Sequence, residues 1–261
     1  MTEPVLQVQG LKKSFDDKVV LKDIHFKVYP GQIIGYIGPN GAGKSTTVKI
    51  FLGMLEKDAG HIEIFGQPLE KGDWSYKNRI GYVPEQSEVY ENLTASEYLE
   101  FVGGMYGLTS ESIDEKALGL LDLFDISDSY HSRISSFSKG MRQKLLIIAA
   151  MIHDPDILFL DEPLSGLDAN SVMVFKEILA RLKARGKTIF YSSHIMEVVE
   201  KISDRILLLS SGEIVADGTF KDLRAQNAEG SLQDIFNQLT GFTEHAEIAE
   251  KFVNILERRS S

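Results

Sequence analysis

Apolar and polar positions alternate in short stretches at the start of the chain. Val5-Leu6-Gln7-Val8-Gln9-Gly10-Leu11 reads as a half-buried strand, and Val19-Val20-Leu21 and Ile24-His25-Phe26-Lys27-Val28 read as two further short strands ended by Pro30-Gly31. Gln32-Ile33-Ile34-Gly35-Tyr36-Ile37 is almost continuously apolar, the pattern of a buried strand, and residues 47–52 after it read as a helix. Alternation returns in Ile62-Glu63-Ile64-Phe65-Gly66, and Arg79-Ile80-Gly81-Tyr82-Val83 is strand-like up to Pro84. The period then lengthens. Thr94-Ala95-Ser96-Glu97 is a capping box opening a helix with Tyr98, Phe101, Val102 and Met105 on its apolar side. Helices over Glu111 to Phe124 and Ser138 to Ile152 follow. Buried strands return at Ile157-Leu158-Phe159-Leu160 and Thr188-Ile189-Phe190-Tyr191-Ser192-Ser193, with a helix from Asn170 to Arg185 between them. A short helix from Ile195 to Lys201 and a hairpin from Arg205 to Ala216, turning at Ser211-Gly212, come next. Two helical segments divided near Gly241 close the pattern. The order predicts an α/β protein: residues 1–225 form one domain with a helical subdomain inserted at about 87–152, and 226–261 form a short helical tail.

Composition narrows the class of partner. The 261 residues are 43% hydrophobic, enough for a sizeable core, and carry a net charge of −10. A general binder of nucleic acid or of anionic membrane is usually basic, so no nucleic-acid partner is expected. The absence of cysteine excludes disulfides and thiolate metal sites. Met1-Thr2-Glu3-Pro4 does not open a secretory signal, and the longest apolar run, Leu145 to Ile152, is far shorter than the roughly 20 residues of a membrane span. A soluble, cytoplasmic chain is expected, with any membrane role exercised through another subunit.

The candidate chemistry centres on Gly38-Pro39-Asn40-Gly41-Ala42-Gly43-Lys44-Ser45-Thr46, a gapless match to the phosphate-loop pattern G-x-x-x-x-G-K-[ST] between a predicted strand and a predicted helix. Glycines let the backbone wrap a polyphosphate with its N–H groups pointing inward, and the helix N-terminus adds partial positive charge. Lys44 would reach the β- and γ-phosphates of ATP, and the Ser45 hydroxyl would ligate Mg²⁺. The strand Ile157 to Leu160 ends in Asp161-Glu162. Asp161 would hold the Mg²⁺ shell, and Glu162 would polarise an attacking water.

Phe137-Ser138-Lys139-Gly140-Met141-Arg142-Gln143 resembles the L-S-G-G-Q signature motif of ABC-family ATPases and stands about twenty residues before the Asp161-Glu162 strand. Ser165-Gly166-Leu167-Asp168 resembles that family's D-loop, His194 its switch histidine, and Phe15 the aromatic that stacks on adenine. The resemblance covers Val5 to Gly218. It implies a P-loop NTPase with a RecA-like core, an antiparallel β-subdomain and the inserted helical subdomain. It further implies that ATP with Mg²⁺ is hydrolysed by Lys44, Glu162 and His194, with Ser45 and Asp161 on the metal. Ser138 and Gly140 would face the γ-phosphate held by a second ATP-binding subunit. Ser138 also reads as a helix N-cap.

The chain departs from the pattern in two places. Lys139 and Met141 stand where the signature has a glycine and a glutamine. The family's Q-loop glutamine follows a segment like Tyr82-Val83-Pro84, where this chain has Glu85 and then Gln86. Either could approach the Mg²⁺ or the water, and we assign the role to Gln86. The implied function is the ATP-hydrolysing motor subunit of an ABC transporter, partnered by transmembrane permease subunits at the inner face of the cell membrane, near Glu85 to Asn92. Tyr90-Glu91-Asn92-Leu93-Thr94 together with the signature segment resembles bacterial exporters more than importers. The alternative is an ABC-family ATPase of DNA repair or translation. A non-hydrolysing scaffold fits poorly with Glu162 and His194, and a kinase would leave the signature segment without a role.

Overall fold

The computed structural model describes residues 2–72, 74–86, 89–226, 230–241 and 245–257. In chain order the elements are β1 (Leu6–Phe15), β2 (Lys18–Val28), β3 (Ile33–Ile37), α1 (Lys44–Phe51), β4 (Ala59–Ile64), β5 (Gln67–Pro68), β6 (Ile80–Val83), α2 (Ala95–Met105), α3 (Ser110–Leu123) and α4 (Lys139–Met151). They continue as β7 (Ile157–Asp161), α5 (Ala169–Ala184), β8 (Thr188–Ser192), α6 (Met196–Ile202), β9 (Arg205–Ser210), β10 (Glu213–Gly218), α7 (Phe220–Gln226), α8 (Leu232–Thr240) and α9 (His245–Glu257). The expected start of the helical subdomain at residue 87, and the parts of the expected tail at 227–229, 242–244 and 258–261, lie outside the described residues.

Two sheets form. One is antiparallel, in the order β2-β1-β4-β5. The other runs β10-β9-β3-β8-β7-β6, parallel from β9 to β6, with β10 antiparallel at its edge. Every residue of β3, β7 and β8 is buried, as parallel strands covered on both faces require. Successive side chains point to opposite faces, so each apolar run feeds two cores. Ile34, Tyr36, Phe159 and Phe190 enter one core; Ile33, Ile37, Leu158, Leu160 and Ile189 enter the other. In the first core the rings of Phe26, Tyr36, Phe51, Phe159 and Phe190 pile together, with neighbouring centroids between 4.9 and 6.3 Å apart. Each such pair adds about 0.5–1.5 kcal/mol beyond its buried area. Phe26 belongs to β2 and Phe51 to α1, so this pile locks the antiparallel sheet and α1 to the parallel one. The second core takes α2 to α5 and reaches α8, whose Leu232 and Ile235 are fully buried.

Residues 18–28 form one strand rather than two short ones. Lys22 and Asp23 are exposed in succession, which breaks the alternation in the sequence. Register shifts in β1 opposite that stretch, between Leu11 and Lys13 and between Lys13 and Ser14, preserve the pairing. The parallel strands all finish at one edge of the large sheet. The segments after β3, β7 and β8 therefore gather there, at the place where open α/β sheets bind ligands.

Candidate functional site

The loop after β3 enters α1 through Gly43, which adopts φ 110° and offers no side chain to cap the helix. A Cβ there would lie 2.6 Å from Leu21 Cδ2, so only glycine fits. The first-turn N–H groups of α1 are thus left without a side-chain cap, a ready anion site. The loop lines a cavity of about 420 Å³ with Lys18, Val20, Asn40, Gly41, Gly43, Lys44, Ser45, Thr46, Glu85 and Asp161. Lys44 Nζ donates to the carbonyls of Gly38 (2.7 Å) and Pro39 (3.3 Å). Burial pushes its pKa down, against the opposing pull of the negative charges on Glu162, Asp161 and Glu85. The Ser45 hydroxyl donates to Asp161 Oδ2 at 2.9 Å, and Asp161 is buried at the end of β7. A hydroxyl and a carboxylate side by side on a phosphate-loop cavity are the hard oxygen donors that suit Mg²⁺, which usually takes few protein ligands and completes its shell with phosphate and water.

Glu162 follows in a left-handed backbone conformation, φ 48°, with its N–H donating to Ser192 O at 2.9 Å. Both carboxylate oxygens have partners. His194 Nδ1 lies 2.8 Å from Oε1, and the Ser193 hydroxyl donates to Oε2 at 3.1 Å. The His194 side chain is 73% exposed while that of Glu162 is 12% exposed. His194 also lines a second cavity with Gly38, Pro39 and Asn40, so it faces the phosphate loop as well as Glu162.

Ser138 caps α4, accepting from the Met141 N–H at 3.2 Å, as its place in the sequence predicts. Gly140 sits against the loop that follows Glu162: a Cβ on it would lie 2.7 Å from the Gly166 carbonyl oxygen. The Lys139 stem packs on Gly166, and Met141 packs against the helical side of the core. Buried Gln143 donates from Nε2 to the Pro163 carbonyl at 3.0 Å, a second tie between the signature helix and the Glu162 loop. Asp168 caps α5: it accepts from the Ser171 N–H (2.9 Å) and hydroxyl (2.6 Å), with Lys144 Nζ at 3.4 Å. These hydrogen bonds from Ser171, aided by Lys144, hold its carboxyl well below the usual carboxylate range.

The residues expected from the sequence thus fall into two groups. Gly38 to Thr46, Asp161, Glu162 and His194 meet at the sheet edge, whereas Ser138 and Gly140 stand away from the residues lining the phosphate-loop cavity, beside 165–168. Phe15 is 44% exposed, which excludes a core role, and pairs with cavity-lining Lys18. Glu85 lines the cavity, while Gln86 is exposed and is not among its lining residues. Sequence reasoning passed over Ser193 and Gln143. Ser193 carried a signal, a hydroxyl between a buried strand and His194; Gln143 was visible only as part of the motif.

The chain matches the ABC transporter family over residues 21–165. It is 38% identical to the linearmycin resistance ATP-binding protein LnrL of Bacillus subtilis (strain 168) over 219 residues, 84% of this chain and 70% of that protein. It is 36% identical to the Nod factor export ATP-binding protein I of Rhizobium sp. (strain N33) over 236 residues, 90% of this chain and 78% of that one. A solved ATP-binding subunit of an ABC transporter superposes with a TM-score of 0.85 at 35% identity, covering 90% of this chain and 99% of its own. The chain therefore belongs to the ABC transporter family, as an ATP-binding subunit whose ATP hydrolysis drives transport.

Proposed function

We propose that this chain is the motor subunit of an exporter and that it works as one of two ATP-binding subunits closing head to tail on two ATP molecules. One observation carries the paired arrangement: the phosphate loop, Asp161 and Glu162 stand together, while Ser138 and Gly140 lie outside the cavity they form. A nucleotide on Lys44 would be completed by Ser138 and Gly140 of a second subunit. Export is the direction named in the Nod factor export relative, and resistance to linearmycin, the role named in another, fits outward transport.

In this reading the backbone of Gly38 to Thr46 wraps the phosphates, Lys44 exchanges its loop carbonyls for the β- and γ-phosphates, and Phe15 stacks on adenine. Ser45 and Asp161 would hold Mg²⁺, with Glu85 or Gln86 from the segment after β6 completing the approach; Glu85 is the one already on the cavity. When bound, the metal supplies charge neutralisation across the phosphates. Glu162 presents a carboxylate to the attacking water, His194 turns from Glu162 to the γ-phosphate, and Asp168 sets the loop that meets the second subunit. Residues 1–225 act as the ATPase domain with its helical insert and 226–261 as the tail.

The permease would dock at the cytoplasmic face of the membrane, on a groove of about 230 Å³ lined by Leu52, Met54, Tyr82, Tyr98, Val102 and Tyr106 between α1, β6 and the inserted helices. Phe101 and Met105 add exposed apolar surface on α2, and Tyr90, in the segment before it, packs its ring edge-on against Phe101. Among the described residues no helix is long and apolar enough to cross a membrane, in keeping with a separate permease.

The test is assembly. Glu162→Gln should bind ATP with turnover cut to a slow residual rate and form an ATP-dependent dimer by light scattering after size exclusion; Lys44→Ala should lose tight ATP binding. Adding Ser138→Arg to Glu162→Gln should return the dimer to monomer. A dimer that ignores nucleotide, or a Ser138→Arg variant that still dimerises on ATP, would refute the paired arrangement.

A further inference from the structure

Glu162 is held by more than its backbone. Ser193 is 1% exposed, at the end of β8, and its hydroxyl donates to Glu162 Oε2 at 3.1 Å. The Ser193 Oγ in turn accepts from the Ile195 N–H at 3.1 Å. A hydroxyl has one proton to give; with the Ile195 N–H taking a lone pair, that proton is directed to the carboxylate. The other carboxylate oxygen, Oε1, meets His194, whose side chain is largely in solvent. The two oxygens of Glu162 are therefore unequal: Oε2 is tied to a buried, doubly bonded hydroxyl, and Oε1 to a largely exposed side chain.

We infer that Ser193 is a positioning residue for ATP hydrolysis: it anchors Oε2 so that Oε1, once His194 withdraws, is presented to the attacking water in a fixed orientation. This rests on the reading of Glu162 as the group that polarises the water. A carboxylate on a flexible two-carbon stem has several orientations open to it, and holding the reacting geometry is worth much of the rate of an oriented reaction. Ser193 touches neither nucleotide nor water in this scheme and acts only through Glu162. Its loss should lower turnover and leave ATP binding in place.

The experiment uses the full chain with MgATP. Ser193→Ala should lower kcat by about 10- to 100-fold, the size expected for one hydrogen bond to a charged group, with KM and the affinity for a fluorescent ATP analogue within about twofold of the original. Ser193→Thr, which keeps the hydroxyl, should recover most of that turnover. Ser193→Cys fills the same space with a weak donor and should also lose turnover, which keeps the test open if the alanine variant folds poorly. In single-turnover assays, Ser193→Ala added to Glu162→Gln should cause no further loss. A kcat within twofold of the original in both Ser193→Ala and Ser193→Cys would overturn the inference. So would a loss matched by an equal loss of ATP affinity, or one that multiplies fully with Glu162→Gln. Unchanged turnover in Glu162→Gln alone would instead remove the underlying role of Glu162, a failure separate from the others.

Discussion

Gly140→Ala sets two effects of known size against each other. The backbone of Gly140 is not in the left-handed region, so alanine is not barred by φ. Alanine in a helix interior gains about 1 kcal/mol over glycine, but residue 140 is the second of α4, where only part of that gain applies. On the other side, the new Cβ would lie 2.7 Å from the Gly166 carbonyl oxygen, where ordinary contact begins at 3.4 Å, a shortfall of 3.4 − 2.7 = 0.7 Å. The obstacle is backbone, in a residue at φ 81° with the Lys139 stem against it, so no rotamer change relieves it. Overpacking of this kind costs about 1–3 kcal/mol and outweighs the gain in propensity. With part of that gain subtracted the net cost is about 0.5–2.5 kcal/mol, so we expect a Tm lower by roughly 1–10 °C, using about 2–4 °C per kcal/mol for a chain of this size. The signature helix and the 165–168 loop must also move apart, so the ATP-dependent dimer of the Glu162→Gln background should weaken. Differential scanning calorimetry and light scattering read the two effects. An unchanged Tm together with an undiminished dimer would refute the close seating of α4 on the loop.

Phe15→Ala should weaken ATP binding by about 1–3 kcal/mol, the usual worth of a base-stacking aromatic, while Phe15→Tyr holds it; equal affinity of the alanine variant for a fluorescent ATP analogue would remove Phe15 from the site. Asp168 titrates below its unfolded value of about 3.9, so its charge stabilises the fold above about pH 4, and that contribution is lost as pH falls toward the lower folded value. Asp168→Asn keeps the cap acceptor without the charge, so the Tm gap between it and the original chain should narrow between about pH 6 and pH 3; a constant gap would show that the charge is not what Ser171 and Lys144 stabilise.

The elements most readable from sequence are those whose signal is local. The capping box at Thr94 and Glu97 is present, with both reciprocal bonds made, because it needs only four consecutive residues. The buried strands β3, β7 and β8 announce themselves as apolar runs, though their neighbours in the sheet do not: that β3 lies between β8 and β9 is set by contacts across more than 150 residues. The phosphate loop and Asp161-Glu162 were readable as motifs, and the 2.9 Å contact of Ser45 with Asp161 is the long-range fact that joins them. The choice between Glu85 and Gln86 was not readable, because adjacent residues in a bend point in different directions and spacing alone cannot say which faces the cavity. Ser193 and Gln143 escaped for a related reason. A hydroxyl or amide has many possible partners, and its choice appears only when a distant loop is brought beside it.

The left-handed backbone at Glu162 sets folding against turnover. Glutamate at φ 48° is costlier by roughly 1 kcal/mol or more than glycine, and asparagine, whose short side chain bonds locally, also tolerates that region. Screening this chain for heat resistance alone should therefore enrich glycine or asparagine at position 162, and each such clone would have exchanged its carboxylate for thermal tolerance.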